Sequence, residues 1–471
     1  MRTVLAVDTL GETNPATGAE VLMVKAERAS VDPVGARKFR RLELSAQSLP
    51  DWSTPAGVRA RGQAVRQALC THPGVQAILD HLALAPAGQV QPLFLKLAGG
   101  DAEMIPWETL CDGEGEFLAL DQRWPIGRVC DPLQGESRPP PVLSLPVRLL
   151  AVISAYGIPT QKQEWAALAR AVQEARTAGL PVQLRVLVAD DSTYQAVQAS
   201  SAAGLADVEL SGIEKTAARV VQDIVAWAPN IVHFFCHGHA GSTPSDQSLE
   251  LATKADISGQ AGAGSVRIRT RQLTDMLVAL PNPWLVTLNC CASAAASSEL
   301  LSLAHQVVSA GFPAAVAMIE PVDASDAHEF TRSFYRCLFG DLLRASQQLQ
   351  QPQQPGAGAA RRVPFEFTRA MHQARSAVCD LHGGDAPNAR QWVLPVLYVR
   401  GVEPLQFDAP PALPQAQSAE FTQRAQIVAG WLQQVRESLD EAGRLEVMQR
   451  LLAPVPARFW PDVNGQFGGT A

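Results

Sequence analysis

The chain has 471 residues, 47% of them hydrophobic and 18% charged, which is enough apolar material for one large or two medium cores without staples. A formal net charge of −7 with no basic face excludes nucleic acid and anionic membrane surfaces as direct partners. No apolar run approaches the roughly 20 residues needed to cross a bilayer, and MRTVLAVDTLGETN turns polar too early for a signal peptide, so the sequence reads as a soluble, cytoplasmic protein.

In chain order, the first 130 residues predict a small α+β unit. Its strands are TVLAVDTL, AEVLMVKAE, RKFRRLELSA, VQPLFLKLA and FLAL, with a helical stretch over 57–81 between the third and fourth. The proline-rich segment DPLQGESRPPPVLSLP (131–146) predicts a boundary, giving an N-terminal unit 1–140. Strands and helices then alternate: VRLLAVISA, a helix over 161–179, VQLRVLVA, a helix over 213–228, and NIVHFFC. A helix over 270–279, WLVTLNC, a helix over 299–310, PAAVAMI, a helix over 324–345 and WVLPVLYV follow. Continuous β-branched runs between amphipathic helices predict an α/β fold, a three-layer sandwich with a mostly parallel sheet, over 141–405. Within it, SQQLQQPQQPGAGAARR (346–362) lacks apolar residues at core spacing and predicts a flexible loop. Over 406–471 a proline-rich linker near 408–414 leads to a helical tail that carries Phe421, Ile427, Trp431, Val435, Leu439, Leu445, Met448 and Leu452 at near-helical spacing.

Two of the apolar runs end in reactive side chains: IVHFFCHGHA reaches His237, and WLVTLNCCASA reaches Cys291. In open parallel sheets reactive groups gather beyond the carboxyl ends of strands, so a thiol and an imidazole can meet there as nucleophile and base. Gly238 allows a sharp turn that exposes its N–H, and with the amide of Cys291 it can form an oxyanion hole, an element whose single donors contribute about 3 kcal/mol. A thiolate attacks the carbonyl, and His237 protonates the leaving amine. The eight cysteines form no regular framework and no CxxC pair, so most read as reduced core residues. A zinc site from Cys236, His237, His239, Cys290 and Cys291 is the rival chemistry, but adjacent cysteines and a C-H-G-H run fit no common zinc knuckle. The sequence implies no cofactor and no metal.

His233-Phe234-Phe235-Cys236-His237-Gly238 and Leu288-Asn289-Cys290-Cys291-Ala292-Ser293 resemble the two catalytic motifs of the CHAT family of caspase-like cysteine peptidases, relatives of caspases and separase. Further segments are similar in the same order. These are Ile105-Pro106-Trp107-Glu108-Thr109-Leu110, Glu320-Pro321-Val322-Asp323 with Phe334-Tyr335, and Leu394-Pro395-Val396-Leu397-Tyr398-Val399-Arg400. The resemblance implies a caspase-like sandwich, with 1–140 a degenerate caspase-like subdomain. It implies an endopeptidase acting on a dedicated protein substrate and latent until a partner, ligand or proteolytic cut activates it. Bacterial defence or stress pathways, including CRISPR-linked cascades, are the implied setting.

The same resemblance selects His237 over His233, which reads as a core histidine, and over His239. It selects Cys291 over Cys290, which reads as a packed structural thiol. Glu320, Asp323 and Asp326 fall where relatives place part of the pocket for the residue before the scissile bond, and acids there would select arginine or lysine; Asp323 reads equally well as a helix cap. Arg361 and Arg362 end the glutamine-rich segment as a dibasic pair open to processing. Trp107 and Glu108 read as structural, closing the seam between the two units. A catalytically silent scaffold that keeps the fold for binding is the alternative to an enzyme.

Overall fold

The β-branched runs between turn signals form strands, and the amphipathic stretches between them form helices. In chain order these are β1 (Thr3–Thr13), β2 (Glu20–Arg28), β3 (Arg40–Leu42), α1 (Pro55–Cys70), α2 (Pro73–Ala83), β4 (Leu93–Leu97), β5 (Ile126–Cys130), β6 (Val142–Leu143) and β7 (Val147–Ser154). Next come α3 (Gln161–Thr177), β8 (Val182–Val188), α4 (Asp191–Ala202), β9 (Val208–Gly212), α5 (Ala217–Trp227), β10 (Ile231–His239), β11 (Ser248–Leu251), α6 (Lys254–Ser258), β12 (Val266–Arg269) and α7 (Thr270–Ala279). The chain continues through β13 (Leu285–Asn289), α8 (Ser297–Ser309), β14 (Ala314–Met318), α9 (Ala324–Gln350), β15 (Arg362–Phe365), α10 (Thr368–Leu381), β16 (Pro395–Arg400) and β17 (Leu405–Asp408) to α11 (Gln415–Gln434) and α12 (Glu441–Leu452). This computed structural model describes residues 2–466 apart from 16–17, 87, 99, 132–141, 155, 158–159, 203, 240–246, 260–263, 290–296, 321, 351–361, 384–388, 402, 409–414, 437, 453–454, 456–459 and 463.

One large sheet runs in the order β3-β2-β1-β4-β5-β16-β14-β13-β10-β7-β8-β9, with β11 paired to β10 and β12 to β11. From β14 to β9 every neighbouring pair is parallel. β16 is antiparallel to β14 and parallel to β5. Strands β13 and β14 are buried at every position, as a sheet covered on both faces requires. The covering helices fall into two groups, α3, α9 and α10 packing together and α5, α7 and α8 packing together. This is the expected three-layer α/β sandwich. The core draws on residues from Val4 to Phe407, on both sides of the division expected at 140, and the compact unit runs to Asp408. A short second sheet, β15-β17-β6, belongs to the same unit.

Several expectations change in detail. The helix over 57–81 is two helices, because Pro73 lacks the N–H that a continuing helix would need and instead starts α2. The segment FLAL is no strand: Leu118–Leu120 makes a 3₁₀ turn, and the nearby strand is β5. The loop expected from 346 does not begin there, since α9 continues through Gln350; glutamine and leucine are good helix formers. Residues 351–361, and Arg361 with them, lie outside the described residues, and Arg362 opens β15. The second unit, Ala409–Ala471, has its own small core of Ala425, Val428, Leu432, Met448, Leu452 and Val455. Ile427 and Leu445, expected on the inward stripe, are exposed. Among the described residues no helix is long and apolar enough to cross a membrane.

Buried charges cross the seam at β5 and β16. Arg128 donates two hydrogen bonds to Glu108, at 3.1 and 2.8 Å, and others to the carbonyls of Glu103 and Ile105, with all of its surface and Glu108's buried. Arg375 of α10 stands 4.0 Å from the same carboxylate and donates to the carbonyls of Ile126 and Pro395. Trp107, fully buried, donates its indole N–H to Ala102 at 2.8 Å. Trp107 and Glu108 therefore act as wall and bolt of this junction.

Candidate active site

Strands β10 and β13 are adjacent and parallel, registered Ile231↔Leu285 through Phe235↔Asn289. β7 flanks β10 on its other side, in register from Ile231↔Leu149 to Cys236↔Ser154. Alternation puts His233, Phe235 and His237 on one face of β10 and Phe234 and Cys236 on the other. The half-buried His237 donates its Nε2–H to the carbonyl of Tyr156, just past the end of β7. A carbonyl can only accept, so the neutral ring keeps its lone pair on Nδ1, where it can take or return a proton. Cys290 and Cys291 lie outside the described residues.

Gly238 does not make the expected sharp turn. β10 runs on through His239, because β11 pairs antiparallel along it, His237↔Glu250, Gly238↔Leu249 and His239↔Ser248. Cys236, wholly buried, faces away from His237.

Beneath the strand ends lies a polar cluster that the sequence reading missed. Glu164 of α3 is fully buried, and its Oε1 accepts from Asn289 Nδ2 at 2.9 Å and from Thr331 Oγ1 at 2.7 Å. Its Oε2 accepts from His328 Nδ1 at 2.5 Å, and His233 Nε2 stands 2.9 Å from Oε1. Tyr335 completes the layer, donating to Thr287 Oγ1 at 3.0 Å with its hydroxyl 3.2 Å from His233 Nδ1. Burial alone would push the Glu164 carboxyl up, but the hydrogen bonds and charges of His233 and His328 outweigh it and hold it at about 2. Among the described residues, the Nε2 of His328 and the Oδ1 of Asn289 are buried without a protein partner. A signal was available: Glu164 sits in phase with Leu168 and Val172, on the stripe where α3 buries apolar side chains.

The three acids expected to shape a substrate pocket gather at the start of α9 and meet residues of 382–391. Glu320 pairs with Arg390 at 3.5 Å, and Asp323 accepts from Gln391 at 3.3 Å. Asp326 is 1% exposed and meets His382 Nε2 at 2.9 Å; burial pushes its carboxyl up despite that imidazole. Arg362 is exposed and stands 3.5 Å from Asp408. Among the described residues no cluster of three or more histidines, cysteines or acids could hold a metal ion.

A profile of the CHAT domain matches residues 59–374. Among solved structures, the Saccharomyces cerevisiae separase–securin complex matches with 12% identity and a TM-score of 0.32, over 72% of this chain and 17% of that one. The Arg-specific cysteine proteinase gingipain R matches with 9% identity and a TM-score of 0.37, over 77% of this chain and 70% of that one. No curated protein matches the chain.

Proposed function

Since the chain belongs to the CHAT-domain family of caspase-like cysteine peptidases, we propose that it is itself a cysteine endopeptidase with Cys291 as nucleophile and His237 as its imidazole partner. The observation that carries this reading is the register of β10 on β13: the last pair is Phe235↔Asn289, and in sequence His237 and Cys291 each follow that pair by two residues. Parallel strands advance in step, so two residues beyond a shared last pair are candidates to meet at one sheet edge. The Tyr156 carbonyl supports it further, since a base oriented by a third group is what a thiol–imidazole pair needs.

The reaction runs as acyl transfer. The Cys291 thiolate attacks the peptide carbonyl, the amide of Cys291 steadies the oxyanion, joined by that of Gly238 only where the β11 pairing leaves its N–H free, and His237 protonates the leaving amine. Water then releases the acyl group. The substrate is a dedicated protein, cut in the cytoplasm in a defence or stress pathway after a partner, a ligand or a cut within 346–362 relieves latency. A pocket of Glu320, Asp323 and Asp326 requires that Arg390, Gln391 and His382 release them; Asp323→Asn tests this through the preference for a basic residue before the scissile bond.

The deciding experiment is labelling with a peptidyl ketone electrophile, read by peptide mass mapping. The reading expects one adduct, on Cys291, lost in Cys291→Ala and slowed in His237→Ala. An unmodified Cys291, with candidate activators present, would leave the chain a caspase-like scaffold. A substrate-library digest comparing wild type with Cys291→Ala then gives the cleavage preference.

A further inference from the structure

A cavity of about 590 Å³ opens between α9 and α10, a volume in the range of small-molecule sites. The peptidase reading uses none of its residues. Four arginines line it, Arg332, Arg336 and Arg344 from α9 and Arg369 from α10, on a chain whose net charge is −7. Two acids line it as well, Glu329 and Asp380. At one end Arg332 pairs with Glu329 at 2.7 Å; at the other Arg344 and Arg369 share Asp341, Arg369 at 2.9 Å. Between them Arg336 has no ion pair or hydrogen bond among the described residues. Arg332, Arg336, Gly340 and Arg344 follow one another in four-residue steps, so they form one stripe along α9, and like charges one turn apart repel.

Gly340 is the second observation. Glycine inside a 27-residue helix is unfavourable, and close packing is the usual reason for one. Packing does not supply that reason here. Beyond the local helix backbone, the nearest group an added Cβ would meet is Arg344 Nη1 at 3.7 Å, an ordinary contact. What the missing side chain leaves open is the wall of the cavity beside Arg336, where a ligand can approach the helix backbone.

We propose that this cavity binds a phosphorylated small molecule carrying a di- or triphosphate. Its phosphates lie on Arg336 with Arg344 and Arg369, and its remainder lies against Cys337, Ala377 and Leu381. Guanidinium groups grip phosphate through paired N–H donors, and arginines set at steps of about 6 Å suit a charge spread over more than one phosphate. The inference does not depend on the peptidase reading.

The test is isothermal titration of the full chain with sodium tripolyphosphate at physiological salt, where attraction between exposed, unmatched charges is largely screened. One saturable site is expected. Arg336→Gln and Gly340→Leu are each expected to weaken it roughly tenfold or more. Arg271→Gln, at an exposed position on α7, is expected to leave it unchanged. Arg336 is exposed, so its replacement keeps the fold. Leucine is a better helix former than glycine, so Gly340→Leu is expected to hold its thermal midpoint at or above that of the wild type, which separates lost binding from lost folding. A wild type without saturable binding, one that takes tetraglutamate in place of tripolyphosphate, or an unchanged affinity in either variant overturns the inference, whatever the labelling of Cys291 shows.

Discussion

Replacing Glu164 by glutamine tests the cluster beneath the strand ends as a stability device. The carboxyl is fully buried and held at about 2 against an ordinary value of 4.5, which corresponds to roughly 3 kcal/mol favouring the ionised form in the folded chain. Because the folded value is the lower one, this contribution is fully present above pH 4.5 and is lost as the pH falls toward 2. Glutamine removes the charge and turns an N–H₂ group toward donors that expect an acceptor, His328 Nδ1 among them. Urea denaturation of both proteins across pH 3 to 7 measures the gap. The expected gap is about 3 kcal/mol at pH 7, shrinking by about half at pH 3 as wild-type Glu164 itself takes up a proton on unfolding. A gap under about 1 kcal/mol at pH 7, or one that widens on acidification, refutes the reasoning, since either means the imidazoles do not stabilise this carboxylate.

Four further outcomes follow from the packing. Burial pushes the Glu103 carboxyl up to about 7, against the nearby Arg128 charge, so its effect has the opposite sign. Its contribution is fully present below pH 4.5 and is lost, by roughly 3 kcal/mol, as the pH rises through 7; Glu103→Gln removes that component of the slope in denaturation midpoints. Glu108→Ala leaves Arg128 and Arg375 as buried unpaired cations and costs roughly 3–5 kcal/mol, read by chemical denaturation. Gly62→Ala, which in an exposed helix gains about 1 kcal/mol, destabilises here, because an added Cβ would stand 2.2 Å from the Thr109 carbonyl and 2.6 Å from the Cys111 sulfur; a lowered thermal midpoint checks it. Incubated active chain is cut at Arg361 or Arg362 and Cys291→Ala is not; intact chains in both tubes, with candidate activators present, rule out self-processing.

What the sequence made legible was what a continuous apolar run can carry. IVHFFC and WLVTLN read as buried strands because a parallel sheet covered on both faces asks for nothing else, and the reactive residues at their ends came with them. The elements that escaped break that pattern for physical reasons. β9, Val208–Gly212, is an edge strand with exposed positions, and β5 carries Arg128 in its middle, a residue no strand pattern predicts until its partner Glu108 is seen. FLAL has the composition of a strand, but Leu118 donates to the carbonyl of Leu110 and Asp121 to that of Leu118, closing local turns. The group that orients His237 is a backbone carbonyl, which every residue possesses and no sequence distinguishes. Glu164 was visible only as an acid in phase with Leu168 and Val172, a discord whose meaning depends on Asn289 and His328, 125 and 164 residues away.

That long-range cluster also bears on how the two strands find each other. Buried ionic groups seldom stabilise a fold beyond what well-packed apolar side chains would, so its presence at this place calls for a reason other than stability. Register supplies one. The runs in β10 and β13 are apolar on both faces, and the hydrophobic effect, being non-directional, discriminates poorly among their pairings. The polar cluster does discriminate. Tyr335 reaches both His233 and Thr287, a registered pair, and Glu164 reaches His233 and Asn289, two pairs further on. A slip of one residue turns Thr287 and Asn289 to the opposite face and strands a carboxylate, a phenol and two imidazoles in an apolar layer, at several kcal/mol for the carboxylate alone. The cluster therefore selects, among pairings that bury equal apolar surface, the one from which His237 and Cys291 are each two residues away.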